Sequence, residues 1–470
     1  MSLETQNWAE QEFGNADLGD YRRTKRLMQL AGQRGSQPHA SFSQSCGDDA
    51  ATKAAYRFYE NESIQPAAIL SSHYGTTQAR MSQESIVLAV QDTTQLDYTH
   101  HPATKGLGPL QTRKQNGLLM HTTLAVTPGR VPLGIIDQQT WIRPAKDFGK
   151  KHQRKKRPIS EKESQKWLTS LEATHKLQQE LPQTRIVSVG DREADIYDLF
   201  ALSEQLGQSL LVRAAWNRRV DHPENYLWSF MESQPVAGTL TVTVPRKGKQ
   251  PARQAELTVR FSQVTIRPPR SRSSEGLKPV TLWGILACEE HPPEGIKPTE
   301  AISWLLLTKE PVNTFQDACE KLQWYTCRWL IEIYHKVLKS GCRAEERQFD
   351  EAENIKRYLA LDSVVSWRVL YLTMIGRQMP DLPCSAILEA HEWQALYCFI
   401  HKTNTPPDKP PSLRQATRWI GKLGGFMGRK GDGEPGVTVL WRGLQRLYDI
   451  SETWLIFHLP SPESRNVGKD

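Results

Sequence analysis

Cysteine is sparse in this chain and never closely paired. Seven Cys are scattered over 470 residues, at positions 46, 288, 319, 327, 342, 384 and 398, with no C-x-x-C and no Cys/His cluster at zinc spacing. An odd, dispersed set argues for free thiols in a reducing compartment and against structural zinc. The opening residues, Met1 to Glu10, lack a basic stretch followed by an apolar one, so no secretory signal is expected. No apolar run approaches the ~18 residues of a membrane span. These absences together predict a cytoplasmic protein without a membrane partner. There is no G-x-S-x-G elbow, no Walker A loop and no H-E-x-x-H, which sets aside serine-hydrolase, P-loop and zincin chemistry. Internal repeats and low-complexity tracts are absent as well. Charge of one sign is only in modest excess, 60 Lys and Arg against 52 Asp and Glu. A net charge of +8 points to a phosphate-rich partner only where it is clustered.

What is present describes an ordinary folded chain, 38% hydrophobic and 24% charged, long enough for two to four domains. Residues 1–80 read as helical. Asp20 precedes a helix whose first turns hold Arg22, Arg23, Lys25 and Arg26, although a helix N-terminus prefers acids. That conflict leaves two readings, a solvated face or contact with DNA phosphates. A second helix, Asp48 to Glu60, carries Arg57.

Ser85–Val90 is a near-continuous apolar run, the mark of a strand buried on both faces, and it is followed by Asp92. Leu118–Val126 and Val131–Trp141 predict a hairpin about Thr127-Pro-Gly-Arg130. A basic loop at 150–157 follows, and Ser160-Glu-Lys-Glu163 predicts a capping box opening a helix to about Glu180. Arg185–Gly190 is a second buried strand, again followed by an acid, Asp191. Acids at the carboxyl ends of such strands sit where α/β sheets place ligands. Residues 225–310 are β-rich, with strands near 240–244, 256–266, 280–288 and 303–307. Residues 345–400 read as mostly helical, 401–411 as a Pro-rich linker or surface loop, and about 438–457 as an amphipathic helix.

The helical stretch from Tyr325 to Lys339 carries the densest chemistry. At about 3.6 residues per turn, Tyr325, Arg328, Glu332, Lys336 and Lys339 fall on one face. A solvated face with charge pairs four residues apart is one reading. The other is a site joining one carboxylate to fixed cations around a metal and a polyanion. Asp92, Asp191 and Glu332 together supply the oxygen ligands that two Mg²⁺ or Mn²⁺ ions require for in-line displacement at phosphorus. A strand-end Asp capping a turn is an equally good account of either aspartate alone.

Tyr325-x2-Arg328-x3-Glu332-x6-Lys339 resembles the Y-R-E-K signature of bacterial insertion-sequence DDE transposases. Asp92-Thr-Thr and Asp191-Arg-Glu-Ala-Asp195 resemble the segments carrying the first two acids. Leu18-Gly-Asp-x-Arg22-Arg23, Glu161-Lys-Glu-Ser164, Trp304-Leu-Leu-Leu-Thr308 and Leu423-Gly-Gly-Phe-Met427 resemble the subgroup that excises a composite transposon through hairpin ends. The resemblance implies an α/β, ribonuclease H-like mixed-sheet core interrupted by a β-rich insertion, with helical N- and C-terminal domains. The implied division is 1–75 for DNA-end recognition, 76–224 and 311–370 for the catalytic core, 225–310 for the insertion and 371–470 for dimerisation. It also implies Mg²⁺ (or Mn²⁺), two ions per site, on Asp92, Asp191 and Glu332. The implied partners are double-stranded DNA, as transposon ends and target, and a second copy in a synaptic complex in the bacterial nucleoid. Expected DNA contacts are Tyr325, Arg328, Lys336, Lys339, Arg213, His335, Arg22, Arg23, Arg26 and Arg57. Trp304 and Trp329 are expected at a flipped base. Where relatives carry a second acid after the catalytic Glu, this chain has Ile333. Two other functions share these features: a dimerising DNA-binding inhibitor, and a structure-specific nuclease on the same fold.

Overall fold

The computed structural model describes residues 8–149, 157–244, 252–294, 296–297 and 300–458. The expected basic loop therefore lies, apart from Arg157, outside the described residues. Five helices come first: α1 (Trp8–Phe13), α2 (Tyr21–Ser36), α3 (Phe42–Cys46), α4 (Asp49–Glu60) and α5 (Pro66–Met81). Side chains set their starts. The Asp20 carboxylate accepts the Arg22 amide, Ser41 and Gln44 form a capping box, and the Asp48 carboxylate accepts the Ala51 amide.

Next come β1 (Ile86–Asp97), β2 (Gly108–Pro109), β3 (Asn116–Val126), β4 (Pro132–Trp141), α6 (Gln165–Glu180), β5 (Arg185–Gly190), α7 (Tyr197–Leu206), β6 (Leu210–Arg213) and α8 (Leu227–Glu232). The strands β7 (Gly238–Val244), β8 (Arg253–Ile266), β9 (Val280–Cys288) and β10 (Ser303–Thr308) follow. Among the described residues the ten strands form one mixed sheet in the order β2-β3-β1-β5-β6-β10-β9-β8-β7, with β4 on β3. The β1–β5 and β5–β6 pairs are parallel, and the other pairings are antiparallel. The β-rich segment is thus no separate sheet: β10 pairs with β6, and β9, β8 and β7 extend the same surface. Two further local expectations change. β1 does not stop before Asp92, because β3 continues beside it and pairs Asp92 with Thr122. The capping box at Ser160 does not form. Glu163 instead accepts from Nε and Nη2 of Arg143, and α6 begins at Gln165.

The last described residues are helical: α9 (Phe315–Thr326), α10 (Trp329–Lys336), α11 (Ala352–Gln378), α12 (Ala390–His401), α13 (Leu413–Leu423) and α14 (Val437–His458). α11 is long and apolar enough to cross a membrane, against the expectation from the sequence, but 94% of its most apolar stretch is buried inside the protein. It is the axle of the core. Trp367 donates its indole N–H to the Pro132 carbonyl, and Arg357 donates to the carbonyls of Tyr59 and Ile64. α11 therefore ties the hairpin to the N-terminal helices.

α5 reaches β4 at Gly134, where a Cβ would lie 1.9 Å from Thr77 Oγ1. Beside that approach the Ile135 amide donates to His73 Nε2 at 3.0 Å, so Nδ1 carries the imidazole proton and donates to Glu12 at 2.5 Å. Arg80 donates to both Glu12 oxygens. Burial alone would raise the Glu12 carboxyl, but His73 and Arg80 outweigh it and hold the group at about 2, against 4.5 ordinarily. A carboxyl depressed on folding stabilises fully above its unfolded value and loses that contribution as pH falls through its folded value. We expect about 3 kcal/mol to disappear between pH 4.5 and 2. Urea unfolding across that window should show the loss, and Glu12→Gln should flatten it. An unchanged slope in the variant would refute the assignment.

Candidate active site

Parallel pairing between β1 and β5 ends at Val90 and Val189. Asp92 and Asp191 each lie two residues beyond that pair, Asp92 still within β1 and Asp191 just past the end of β5, so both leave the paired region at the same edge of the sheet. The buried apolar runs Val87–Val90 and Ile186–Val189 fix this register by holding both strands inside the core. The Asp92 carboxylate accepts the Thr93 amide at 2.7 Å. Asp191 caps a short 3₁₀ turn, Arg192–Ala194, by accepting the Glu193 amide at 2.8 Å. The strand-end turn and the candidate site thus use the same aspartate.

The third acid arrives on α10. Thr314 and Asp317 form a capping box that starts α9, and the chain passes through Cys327 and Arg328 into α10 with helical dihedrals. The expected single helix is therefore two segments, ending in a π-helical turn at Val337–Gly341. Leu330, Val337 and Leu338 are fully buried, as their position off the charged face predicts. Arg328 closes the group. Its guanidinium donates to Glu332 and, at 3.4 Å, to Asp92, with its side chain only 10% exposed. Burial pushes the Asp92 carboxyl up to about 6, and the Asp191 charge adds to this, with the Thr93 amide and Arg328 pulling the other way. This is a site short of positive charge.

The oxygen donors of Asp92, Asp191 and Glu332 are of the kind that hard divalent ions prefer. Among the described residues, however, no three His, Cys, Asp or Glu side chains converge as they stand on one ion. Asp92 and Glu332 are instead closed on the Arg328 guanidinium.

The other expected contacts divide. Tyr325 is buried and hydrogen-bonds Arg213, which also donates to the Ser303 carbonyl at 3.0 Å. Trp304, half-buried on β10, meets the Tyr325 ring edge-on with centroids 6.1 Å apart. Trp329 is 55% exposed, with the Arg328 guanidinium 5.4 Å from its ring. Lys336 is exposed, whereas Lys339 pairs with Glu345 at 3.2 Å. His335 departs from expectation. It is buried beside Tyr334, its Nε2 has no partner, and burial pushes it down to about 3, followed by the Lys339 charge. A neutral, enclosed imidazole offers nothing to a phosphate; His335 borders the charged face, about 20° from Arg328 at ~100° per residue, and packing from other elements encloses it.

Far along the chain, Arg22, Arg23, Arg26 and Arg57 line one shallow cleft with Asp20 and Asn61. Arg22 is bound to Asp20 and remains largely exposed, and Arg23 donates to the Leu18 carbonyl. α2 and α4 thus merge two basic stretches into one surface.

Sequence reasoning passed over Asp195. Its buried carboxylate holds the loop after β6, accepting the Ala215 and Trp216 amides and the Arg218 guanidinium. The available signal was its place four residues after Asp191. It also passed over the Arg34–Asp362 pair, separated by 328 residues and carrying no local signature.

Comparison with known proteins bears on both ends of the chain. Residues 5–64 match the family model described as transposase DNA-binding. Residues 364–454 match the one described as the Tn5 transposase dimerisation domain. Among solved structures, the cryo-EM structure of the piggyBac transposase synaptic complex with hairpin DNA aligns over 98% of this chain and 81% of that one, at 10% identity and a TM-score of 0.34. A superposition that loose does not establish a shared fold. The basic cleft lies within the first matched segment, and the second holds the C-terminal half of α11, the whole of α12 and α13, and all but the last four residues of α14. At its two ends the chain is thus similar to segments described as transposase DNA-binding and Tn5 transposase dimerisation, and Asp92, Asp191 and Glu332 all lie between them in the sequence.

Proposed function

We propose that this protein is a cut-and-paste transposase with a ribonuclease H-like core, which cleaves DNA at transposon ends through Asp92, Asp191 and Glu332. The reaction sequence would be nicking, attack of the freed 3′-OH on the opposite strand to form a hairpin, reopening by water, and joining to target DNA. The observation that carries this reading is that Asp92 and Asp191 each follow the last parallel β1–β5 pair by two residues, with Glu332 linked to Asp92 through Arg328. Asp92, Asp191 and Glu332 would hold two Mg²⁺ or Mn²⁺ ions, which when bound activate the attacking oxygen and stabilise the leaving one. Arg328, once released from Asp92 and Glu332, and the exposed Lys336 would meet the phosphates flanking the cut. Arg213 fixes the Tyr325 phenol at the same place, and Trp304 and Trp329 would receive a base displaced from the duplex. The Arg22, Arg23, Arg26 and Arg57 cleft would grip the transposon end, and α12 to α14 would join two copies.

Glu332→Gln and Asp191→Asn are expected to lower Mg²⁺-dependent nicking of DNA flanking the gene at least a thousandfold while leaving gel-shift affinity within threefold. Nicking retained by Glu332→Gln would overturn the catalytic assignment. Binding without nicking by the unaltered chain would favour a dimerising inhibitor.

A further inference from the structure

The geometry points to Trp216 as a stacking platform for an unpaired nucleotide at the rim of the catalytic cleft. This rests on the function proposed above and adds to it a contact outside the expected set. Trp216 follows β6 by three residues. Because β5 and β6 are parallel, it leaves the sheet at the same edge as Asp191. The indole is 66% exposed. A lone exposed aromatic is ordinary on a protein surface. This one differs in the structure spent on holding it outward.

Asp195, 2% exposed, accepts the Ala215 amide at 2.6 Å and the Trp216 amide at 2.8 Å on one carboxylate oxygen. Its other oxygen takes Arg218. The Ala214 amide donates to the Leu305 carbonyl at 2.8 Å, and the Asn217 side-chain carbonyl accepts the Trp228 amide at 3.1 Å. The backbone under Trp216 is therefore pinned to β10 on one side and α8 on the other. A rigid backbone with an outward ring loses little freedom on binding, which is what a planar, apolar partner requires. The surroundings select the chemistry of that partner. The exposed Arg192 follows Asp191, and the half-buried Arg213 ends β6 three residues before Trp216, so this edge of the sheet carries an aromatic face together with cations that meet a polyanion. A nucleobase attached to its phosphate satisfies both.

Full-length Asp191→Asn protein, unable to cut, should be titrated with two probes. One is a 20-base-pair duplex ending in a five-nucleotide unpaired fork with 2-aminopurine at the first unpaired position. The other is the same sequence fully paired. We expect Trp216→Ala to weaken fork binding roughly five- to a hundredfold, to abolish the protein-induced change in 2-aminopurine emission, and to leave the paired duplex unaffected. Trp216→Phe should restore most of both signals. Fork affinity and emission unchanged in Trp216→Ala would overturn the inference, as would an equal loss on both probes. If the parent protein bound neither DNA, the transposase reading itself would fall. Binding of both probes with no role for Trp216 would remove this contact alone.

Discussion

Replacing Arg34 by alanine is expected to lower stability by about 3–5 kcal/mol, the range for stripping one partner from a buried ion pair. Arg34 and Asp362 meet at 2.9 Å with side chains 1% and 0% exposed. The guanidinium also donates to the carbonyls of Pro38, Ala40 and Cys342, and Tyr358 donates to the same Asp362 carboxylate at 2.6 Å. Burial opposes charge on Arg34, and Asp362 more than restores it. Alanine would leave an uncompensated carboxylate in the core, since the other nearby guanidinium, Arg347, is committed to the Ala40 and Cys342 carbonyls. Urea unfolding of Arg34→Met, Asp362→Leu and the double variant Arg34→Met/Asp362→Leu closes a double-mutant cycle beside Arg34→Ala. Recovery of part of the loss in the double variant is expected, because two apolar groups leave no orphaned charge. A single-variant loss below 1 kcal/mol would show that the pair is solvated. The pair also links α2, in the segment that matches the transposase DNA-binding model, to α11 and to the turn that ends the Glu332 helix. Its loss should therefore be felt at both sites.

Arg328→Met is expected to tighten Mn²⁺ binding by the DNA-free protein roughly ten- to a hundredfold. The guanidinium bridges Asp92 and Glu332, two of the three carboxylates proposed to hold metal, so an incoming ion must displace charge-assisted hydrogen bonds worth about 1.5–3 kcal/mol each. Methionine retains the stem's packing without the charge. Calorimetric titration with Mn²⁺ reads the effect directly, without catalysis. Glu332→Gln added to Arg328→Met should remove the gain. Equal affinity in the parent and in Arg328→Met would mean that the arginine does not compete for the site. No binding in either would count against the metal reading itself.

These two predictions differ in how far the sequence announces them. Arg328 stands on the same helical face as Glu332, and a spacing of four residues brings their side chains together whatever the rest of the fold does. Arg34 and Asp362 carry no such signal. Their pairing depends on how α2 crosses α11, and nothing within either segment encodes that crossing.

The same division runs through the site. Local chemistry was legible wherever a few neighbouring residues settle the outcome. The Asp20 and Asp48 caps start α2 and α4, Thr127 to Arg130 turns the hairpin, and the apolar runs before Asp92 and Asp191 form buried strands. The sequence by itself determined these elements, because period, capping and turn preference act over three to five residues. Only the tertiary structure decided that β1 runs on past Asp92 beside β3 and that β10 joins the sheet of β1 and β5. It alone decided that His335 is enclosed, that four distant arginines share one cleft, and that Arg328 sits between Asp92 and Glu332. Each of those depends on register and packing between segments far apart in the chain, where burial and long-range charge outweigh local preference.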